Sequence, residues 1–134
     1  MKEASQLSGL KYDTLKYYCR LGLIPGVGRN QHNRRLFTRE HLDWIKTLVL
    51  LRNSGFSLAQ LQSYTNLCLQ GENTLAERCQ FLGDKITELK KKRAQLAKSI
   101  DALGERQQYY QAVLSGQQTY HHPFVHLPPL KNRE

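Results

Sequence analysis

Residues 9–25 read Gly-Leu-Lys-Tyr-Asp-Thr-Leu-Lys-Tyr-Tyr-Cys-Arg-Leu-Gly-Leu-Ile-Pro, and this stretch decides the fold. Gly9 supplies a turn after the short amphipathic stretch 2–8, and Gly22 ends the helix that begins after that turn. Apolar residues that recur on one face of this helix are expected to pack inward: Leu15, Tyr18 and Leu21. The opposite face carries mostly basic and hydroxyl-bearing side chains: Lys11, Tyr12, Asp13, Lys16, Tyr17 and Arg20. Such a face fits the major groove of DNA, where Lys and Arg reach phosphates or guanine edges. The stretch therefore predicts a helix-turn-helix whose second helix contacts duplex DNA.

The segment that follows, residues 29–37, has a polar tip between flanks that can pair as a short hairpin. Asn33 suits the left-handed conformation of a tight turn. Three guanidinium groups lie on this small loop, from Arg29, Arg34 and Arg35. Because guanidinium groups bind phosphate oxygens well, the hairpin is predicted to be a wing that contacts the DNA backbone beside the groove.

Two further helices are predicted after the wing. Thr38 can cap the first, which ends at Asn53-Ser54-Gly55. Its apolar residues recur at spacings of three and four: Leu42, Ile45, Leu48 and Val49. Ser57 and Gln60 then form a capping box for the next helix.

A heptad repeat occupies the second half of the chain, where Thr74 and Glu77 are predicted to cap the start of a long helix. The two seam columns are Leu75, Leu82, Leu89, Leu96, Leu103 and Tyr110, and Cys79, Ile86, Arg93, Ile100, Gln107 and Leu114. Ten of these 12 positions are apolar, against about five expected at the chain's 40% hydrophobic content, so the pattern indicates a coiled coil. A helix from residue 74 to 115 would be roughly 60 Å long, too long to bury its seam on so small a domain. We therefore expect a homodimer, with Arg93 and Gln107 as its polar seam positions.

The net charge is concentrated in the predicted DNA-binding half. The 134 residues carry a net charge of +9: residues 1–64 hold 10 Lys+Arg against 4 Asp+Glu (+6), and residues 65–134 hold 10 against 7 (+3). No apolar stretch approaches the roughly 18 residues that a membrane span needs. Met1-Lys2-Glu3 runs straight into a helix, so we expect no signal peptide and a cytoplasmic location. Three cysteines without paired spacing suit reduced thiols in that compartment. Because His and Cys are scattered without a catalytic motif, we expect no enzyme activity and no cofactor.

Together these segments resemble the MerR family of bacterial transcription regulators. The resemblance is carried by Thr14-Leu15-Lys16-Tyr17-Tyr18, Leu21-Gly22-Leu23-Ile24-Pro25, Arg35-Leu36-Phe37-Thr38 and Gly55-Phe56-Ser57-Leu58. The chain departs from the family pattern where Lys16 replaces the common Arg, Cys19 the common Glu, and Asn33-Arg34 the Gly-Tyr of the wing. A lysine at position 16 lacks the planar fork that allows bidentate readout. The tract Asn73-Thr74-Leu75-Ala76-Glu77-Arg78 is similar to members linked to aldehyde and electrophile stress.

The resemblance implies a mainly α fold in three parts. These are a winged helix-turn-helix DNA-binding domain over residues 1–70, an antiparallel coiled-coil dimerisation helix over 71–116, and a short extended C-terminal tail over 117–134. It also implies a function, in which the homodimer binds a pseudo-palindromic promoter spacer in double-stranded DNA. The dimer would distort this spacer in response to a small-molecule effector or stress signal, so that RNA polymerase engages the promoter.

Two other interpretations stay open from the residues alone. A metal-responsive regulator would use Cys68 with the tail histidines His121, His122 and His126, which are ligand types suited to zinc or copper. A coiled-coil nucleic-acid-binding adaptor without effector response would explain the long helix and the positive charge. It would not explain the three arginines of the wing.

Overall fold

The structure is a computed structural model that describes residues 1–121 and Phe124. Its helices are α1 (Lys2–Ser8), α2 (Tyr12–Arg20), α3 (Arg39–Asn53), α4 (Leu58–Leu69) and α5 (Leu75–Leu114), with a 3-10 helix at Gly71–Thr74 before α5. One antiparallel sheet pairs β1 (Gly28–Arg29) with β2 (Arg35–Leu36), in the register Gly28↔Leu36 and Arg29↔Arg35. The chain forms two compact units that divide after Leu89. The predicted fold class, a winged helix-turn-helix followed by a long helix, is confirmed.

The core of the first unit is built from the apolar faces of its short helices. The largest apolar side chains that are fully buried are Leu15, Leu23, Ile45, Leu48 and Leu61. Helix α1 packs against α2 and α3, and α3 packs against α4. Helices of 7 to 15 residues are marginal alone in water, so this shared core supplies most of their stability.

Local signals at the helix ends explain where the elements begin and stop. Gly9 ends α1 in the left-handed conformation, with φ 75°. Thr38 and Ser57 each accept a hydrogen bond from the backbone N–H three residues on, as predicted, and both capping boxes are complete. Such caps stabilise a helix by about 1 kcal/mol each.

The predicted capping box of Thr74 and Glu77 is wrong. The 3-10 helix runs directly into α5, so Thr74 is not an N-cap residue. Its hydroxyl instead donates to the carbonyl oxygens of Leu67 at 2.5 Å and Gly71 at 3.1 Å. Thr74 is buried, and these bonds tie the end of α4 to the start of α5.

Four aromatic rings stack in a row inside the first unit. The ring centroids of Trp44 and Tyr64 lie 6.2 Å apart, those of Tyr64 and Phe81 5.7 Å, and those of Phe81 and Phe56 5.2 Å. The ammonium group of Lys85 lies 4.8 Å from the centroid of Phe56. Because Phe81 and Lys85 belong to α5, the first three turns of that helix are part of the core of the first unit.

Most of the predicted seam of α5 is exposed in the single chain. Leu82 is the exception, since it is half-buried against the core of the first unit. Leu96, Ile100 and Leu103 are 63%, 68% and 69% exposed. Within residues 1–121 and Phe124, neither α5 nor any other helix is both long and apolar enough to cross a membrane. In a single chain, the apolar side chains of the seam therefore form a row that is exposed to solvent.

Candidate nucleic-acid interface

Helix α2 divides its residues cleanly between the core and the surface. Leu15 and Tyr18 are buried and fix the helix to the first unit. The six predicted contact residues are all exposed: Lys11, Tyr12, Asp13, Lys16, Tyr17 and Arg20. Tyr12 and Tyr17 are 48% and 44% exposed, so their side chains are accessible to a ligand that approaches this face. The sequence prediction of an exposed polar face on α2 thus agrees with the structure.

The tip of the wing is fixed by side-chain hydrogen bonds. Asn33 has φ 57°, the left-handed conformation predicted for it. The side-chain oxygen of Asn30 accepts from the backbone N–H of His32 at 2.9 Å and of Arg34 at 3.0 Å. Arg29 Nη1 donates to the carbonyl oxygen of Asn33 at 2.8 Å. Part of the Arg29 guanidinium therefore braces the turn, a role that the sequence prediction did not give it.

Helix α2 and the wing enclose a groove of about 590 Å³. The groove is lined by Met1, Lys2, Tyr12, Lys16, Arg29, Asn33, Arg34 and Arg35. Five of the nine predicted DNA contacts are thus brought together: Tyr12, Lys16, Arg29, Arg34 and Arg35. The other four lie on the exposed part of α2 outside the groove lining: Lys11, Asp13, Tyr17 and Arg20.

Lys2 was missed by the sequence prediction although it lines the groove. It belongs to α1, and the packing of α1 against α2 and α3 brings it to the wing. Met1 comes with it, since Arg35 Nη1 lies 3.7 Å from the Met1 sulfur. The one local signal that could have indicated Lys2 is its positive charge at the start of the helix that precedes the turn.

Cys19 lies at the far end of α2 and is half-buried. Burial raises the pKa of its thiol, and the nearby guanidinium groups of Arg35 and Arg29 offset this only in part. The thiol therefore stays protonated at neutral pH, and Cys19 serves as a packing residue against the core.

Two long-range hydrogen bonds hold the segment that joins α2 to the wing. Trp44 Nε1 donates to the carbonyl oxygen of Leu23 at 2.6 Å. His41 Nδ1 accepts from the Thr38 N–H at 3.0 Å, so its Nε2 carries the proton and donates to the Pro25 carbonyl oxygen at 2.9 Å. Both side chains come from α3, which thereby fixes the distance between α2 and the wing. Neither role was predicted from the sequence.

Cys68, which precedes α5, is contacted by the Arg78 side chain. Arg78 Nη1 lies 3.8 Å from the Cys68 sulfur, and Nη2 of the same guanidinium donates to the Gly71 carbonyl oxygen at 2.8 Å. Burial is the main cause that raises the pKa of the neighbouring Tyr64 hydroxyl, and the Cys68 thiol raises it further. These contacts join α4 to α5 and account for Cys68 as a structural residue.

The tail histidines are only partly within the described residues. The backbone N–H of His121 donates to the Tyr109 hydroxyl at 2.6 Å, while His122 and His126 lie outside the described residues. In the part of the chain that the structure describes, no three His, Cys, Asp or Glu side chains are grouped to hold a metal ion.

Comparison with known proteins agrees with this architecture. The sequence model of the MerR HTH family of regulatory proteins matches residues 1–67. An HTH-type transcriptional regulator from Haemophilus influenzae is 30% identical over 109 residues, which cover 81% of each chain. The HTH-type transcriptional regulator AdhR from Bacillus subtilis is 39% identical over 77 residues, covering 58% of this chain and 55% of AdhR.

Solved structures of MerR family regulators are also similar to this chain. A MerR family transcriptional regulator from Listeria monocytogenes superimposes with a TM-score of 0.76 at 36% identity, over 86% of this chain and 87% of that one. HiNmlR, a MerR family regulator described as lacking the sensor domain and bound to promoter DNA, gives a TM-score of 0.72 at 31% identity, over 84% and 86% of the two chains. The chain therefore belongs to the MerR family of transcription regulators, as the sequence analysis predicted.

Proposed function

We propose that the protein acts in the cytoplasm as a homodimer that binds promoter DNA, and that it works by binding and not by catalysis. The groove between α2 and the wing carries this proposal. Five cationic side chains line the groove, and none of the described lining residues is acidic: the cations are Lys2, Lys16, Arg29, Arg34 and Arg35. In this arrangement α2 enters the major groove while the wing contacts the adjacent sugar-phosphate backbone. HiNmlR, bound to promoter DNA and similar over most of its length, supports the same role.

The exposed seam of α5 supports the homodimer. Apolar side chains such as Leu96, Ile100 and Leu103 recur with the heptad spacing and are exposed in one chain. A second copy covers them by coiled-coil packing. Following the family, we place the two helices antiparallel. Such a dimer presents two α2 helices to successive major grooves, so the operator is expected to be pseudo-palindromic.

Family membership supports a regulatory step as well. The dimer binds the spacer between the two promoter elements and bends or untwists it, which costs a few kcal/mol that the phosphate contacts offset. One of two DNA-bound shapes aligns the elements for RNA polymerase. A small effector shared between the subunits would select that shape, because only differential affinity for the two shapes shifts their populations.

Selection of bound duplexes from a random DNA pool tests the proposed function. We expect an enriched motif with two-fold symmetry. The affinity for that motif is expected to fall by roughly 10³-fold or more between 50 and 200 mM salt, if at least six phosphates are contacted. A well-folded protein that enriches no motif would favour the coiled-coil adaptor instead. A flat salt dependence would argue against the basic groove as the interface.

Disulfide trapping tests the antiparallel arrangement. Full overlap of two antiparallel α5 helices sets Cys79 opposite position 110 of the partner, because each lies four residues from an end of the helix. With Cys19 and Cys68 replaced by alanine, Tyr110→Cys is expected to give a covalent dimer on mild oxidation, seen by non-reducing electrophoresis. Gln108→Cys, which points away from the seam, serves as the control. A parallel pair would instead set Cys79 against its own copy and form the covalent dimer without any substitution at position 110.

A further inference from the structure

One segment of α5 is strongly basic, and one of its charged residues lies in the seam. Residues 89–100 contain five basic side chains and no acidic one; the basic residues are Lys90, Lys91, Lys92, Arg93 and Lys98. Arg93 lies in the seam, and its neighbours three and four residues away are Leu89, Lys90, Leu96 and Ala97. In the described part of the chain, Arg93, Lys90 and Lys91 form no ion pair. The Arg93 charge is therefore not compensated along its own helix.

The heptad register decides what faces this segment in an antiparallel pair. Antiparallel packing sets each residue of one seam column opposite a residue of the other. Full overlap of residues 75–114 meets this condition and covers the longest run of apolar side chains. Leu89 then faces the partner's Ile100, Ile86 faces the partner's Leu103, and Arg93 faces the partner's Leu96. The two-fold axis passes between positions 94 and 95.

Segment 89–100 is centred on that axis and therefore faces its own copy. The two Arg93 residues lie three residues apart along the axis, about 4.5 Å at 1.5 Å per residue. Because neither copy has an acidic residue in this segment, no carboxylate of the facing segment compensates either guanidinium. Two like charges held near one another between apolar layers are costly unless a counter-charge reaches them.

We propose that the dimer binds one oxyanion of the phosphate class on the two-fold axis of its paired α5 helices, held by Arg93 of both copies. Guanidinium is always protonated and presents a planar fork of donors that matches phosphate oxygens. Two symmetry-related forks suit a tetrahedral dianion, and the adjacent lysines raise the local positive potential. The proposal rests on the homodimer proposed above, and it adds a ligand site separate from the DNA-binding groove.

Titration calorimetry with inorganic phosphate, on the full chain and with ionic strength held constant by sodium chloride, tests this site. The comparison uses Arg93→Leu, with Lys91→Leu as the matched control because Lys91 lies on the outer face of the same segment and carries the same charge. We expect the wild type and Lys91→Leu to bind one phosphate per dimer through this site. Arg93→Leu is expected to lose that binding, with at least a tenfold weaker apparent affinity. Phosphate that binds the DNA-binding groove contributes equally to all three proteins.

Sedimentation of the same samples measures dimer formation and so tests the homodimer separately from the phosphate site. We expect chloride solutions of Arg93→Leu to show a tighter dimer than wild type, since an unpaired charge leaves the seam. Phosphate is expected to tighten the wild-type dimer and not the variant; Arg93→Gln provides a second neutral replacement if the leucine variant aggregates. Equal phosphate effects on wild type and both Arg93 variants would overturn the site while leaving the dimer intact. A wild-type chain that sediments as a monomer would overturn the homodimer and the site together.

Discussion

The double substitution of Lys16 and Arg35 by alanine is expected to lower the affinity for the selected operator by a hundredfold or more. Both side chains line the groove between α2 and the wing, one from each side. A hydrogen bond to a charged group contributes about 1.5–3 kcal/mol, and two such contacts are lost in each half of the dimer. Fluorescence anisotropy with a labelled duplex measures the change at a fixed salt concentration.

The salt dependence of binding gives a second measure of the same change. If each residue contacts one phosphate, the slope of log affinity against log salt becomes shallower by about one per residue removed in each subunit. Lys46→Ala with Lys98→Ala is the matched control, because it removes the same charge from exposed positions of α3 and α5 that do not line the groove. An equal loss in both double variants would mean that net charge, and not this groove, determines DNA binding.

Ile100→Lys is expected to dissociate the dimer. Ile100 is 68% exposed in one chain and lies in the exposed apolar row of α5. In the proposed pair it faces the partner's Leu89, so the variant places two ammonium groups in apolar layers, one turn from the uncompensated Arg93 residues. Desolvating each one costs several kcal/mol, which raises the dissociation constant of the dimer by about a thousandfold or more. Sedimentation velocity over a concentration series measures the dissociation constant.

Loss of the dimer is also expected to remove high-affinity operator binding, because only one α2 helix would then engage at a time. Gln95→Lys is the control: it changes the net charge equally but lies on a face of α5 that does not carry the seam. A variant with Ile100→Lys that remains dimeric would show that another surface joins the two copies, even if α2 and the wing still bind DNA.

The parts of this molecule that were predicted from sequence are those fixed by local physical chemistry. The spacing of Leu15 and Tyr18 identifies the buried face of α2, and the hydroxyl groups of Thr38 and Ser57 identify two helix starts. Asn33 at the tip of the wing is a third example, because few residues adopt a positive φ without strain. Each of these signals lies within four residues of the feature that it predicts.

The parts that were missed depend on contacts between distant residues. Lys2 reaches the groove because α1 packs against α2 and α3, and Trp44 donates to the Leu23 carbonyl oxygen from 21 positions away. The spacing of Thr74 from Glu77 predicted a capping box, but the Thr74 hydroxyl donates a hydrogen bond to the Leu67 carbonyl oxygen in α4. Local pattern gives no information about which of several polar partners a side chain meets after folding.

The division of α2 into a buried face and an exposed face has a consequence for how this regulator can diverge. Leu15 and Tyr18 secure the helix, while Tyr12, Lys16 and Tyr17 take no part in the core. Under the proposed role of α2 in operator recognition, duplicated copies of such a gene can acquire new operators by changing a few surface side chains, with little loss of folding stability. Cross-recognition between related promoters would then be removed one base contact at a time, while the scaffold that holds α2 stays the same.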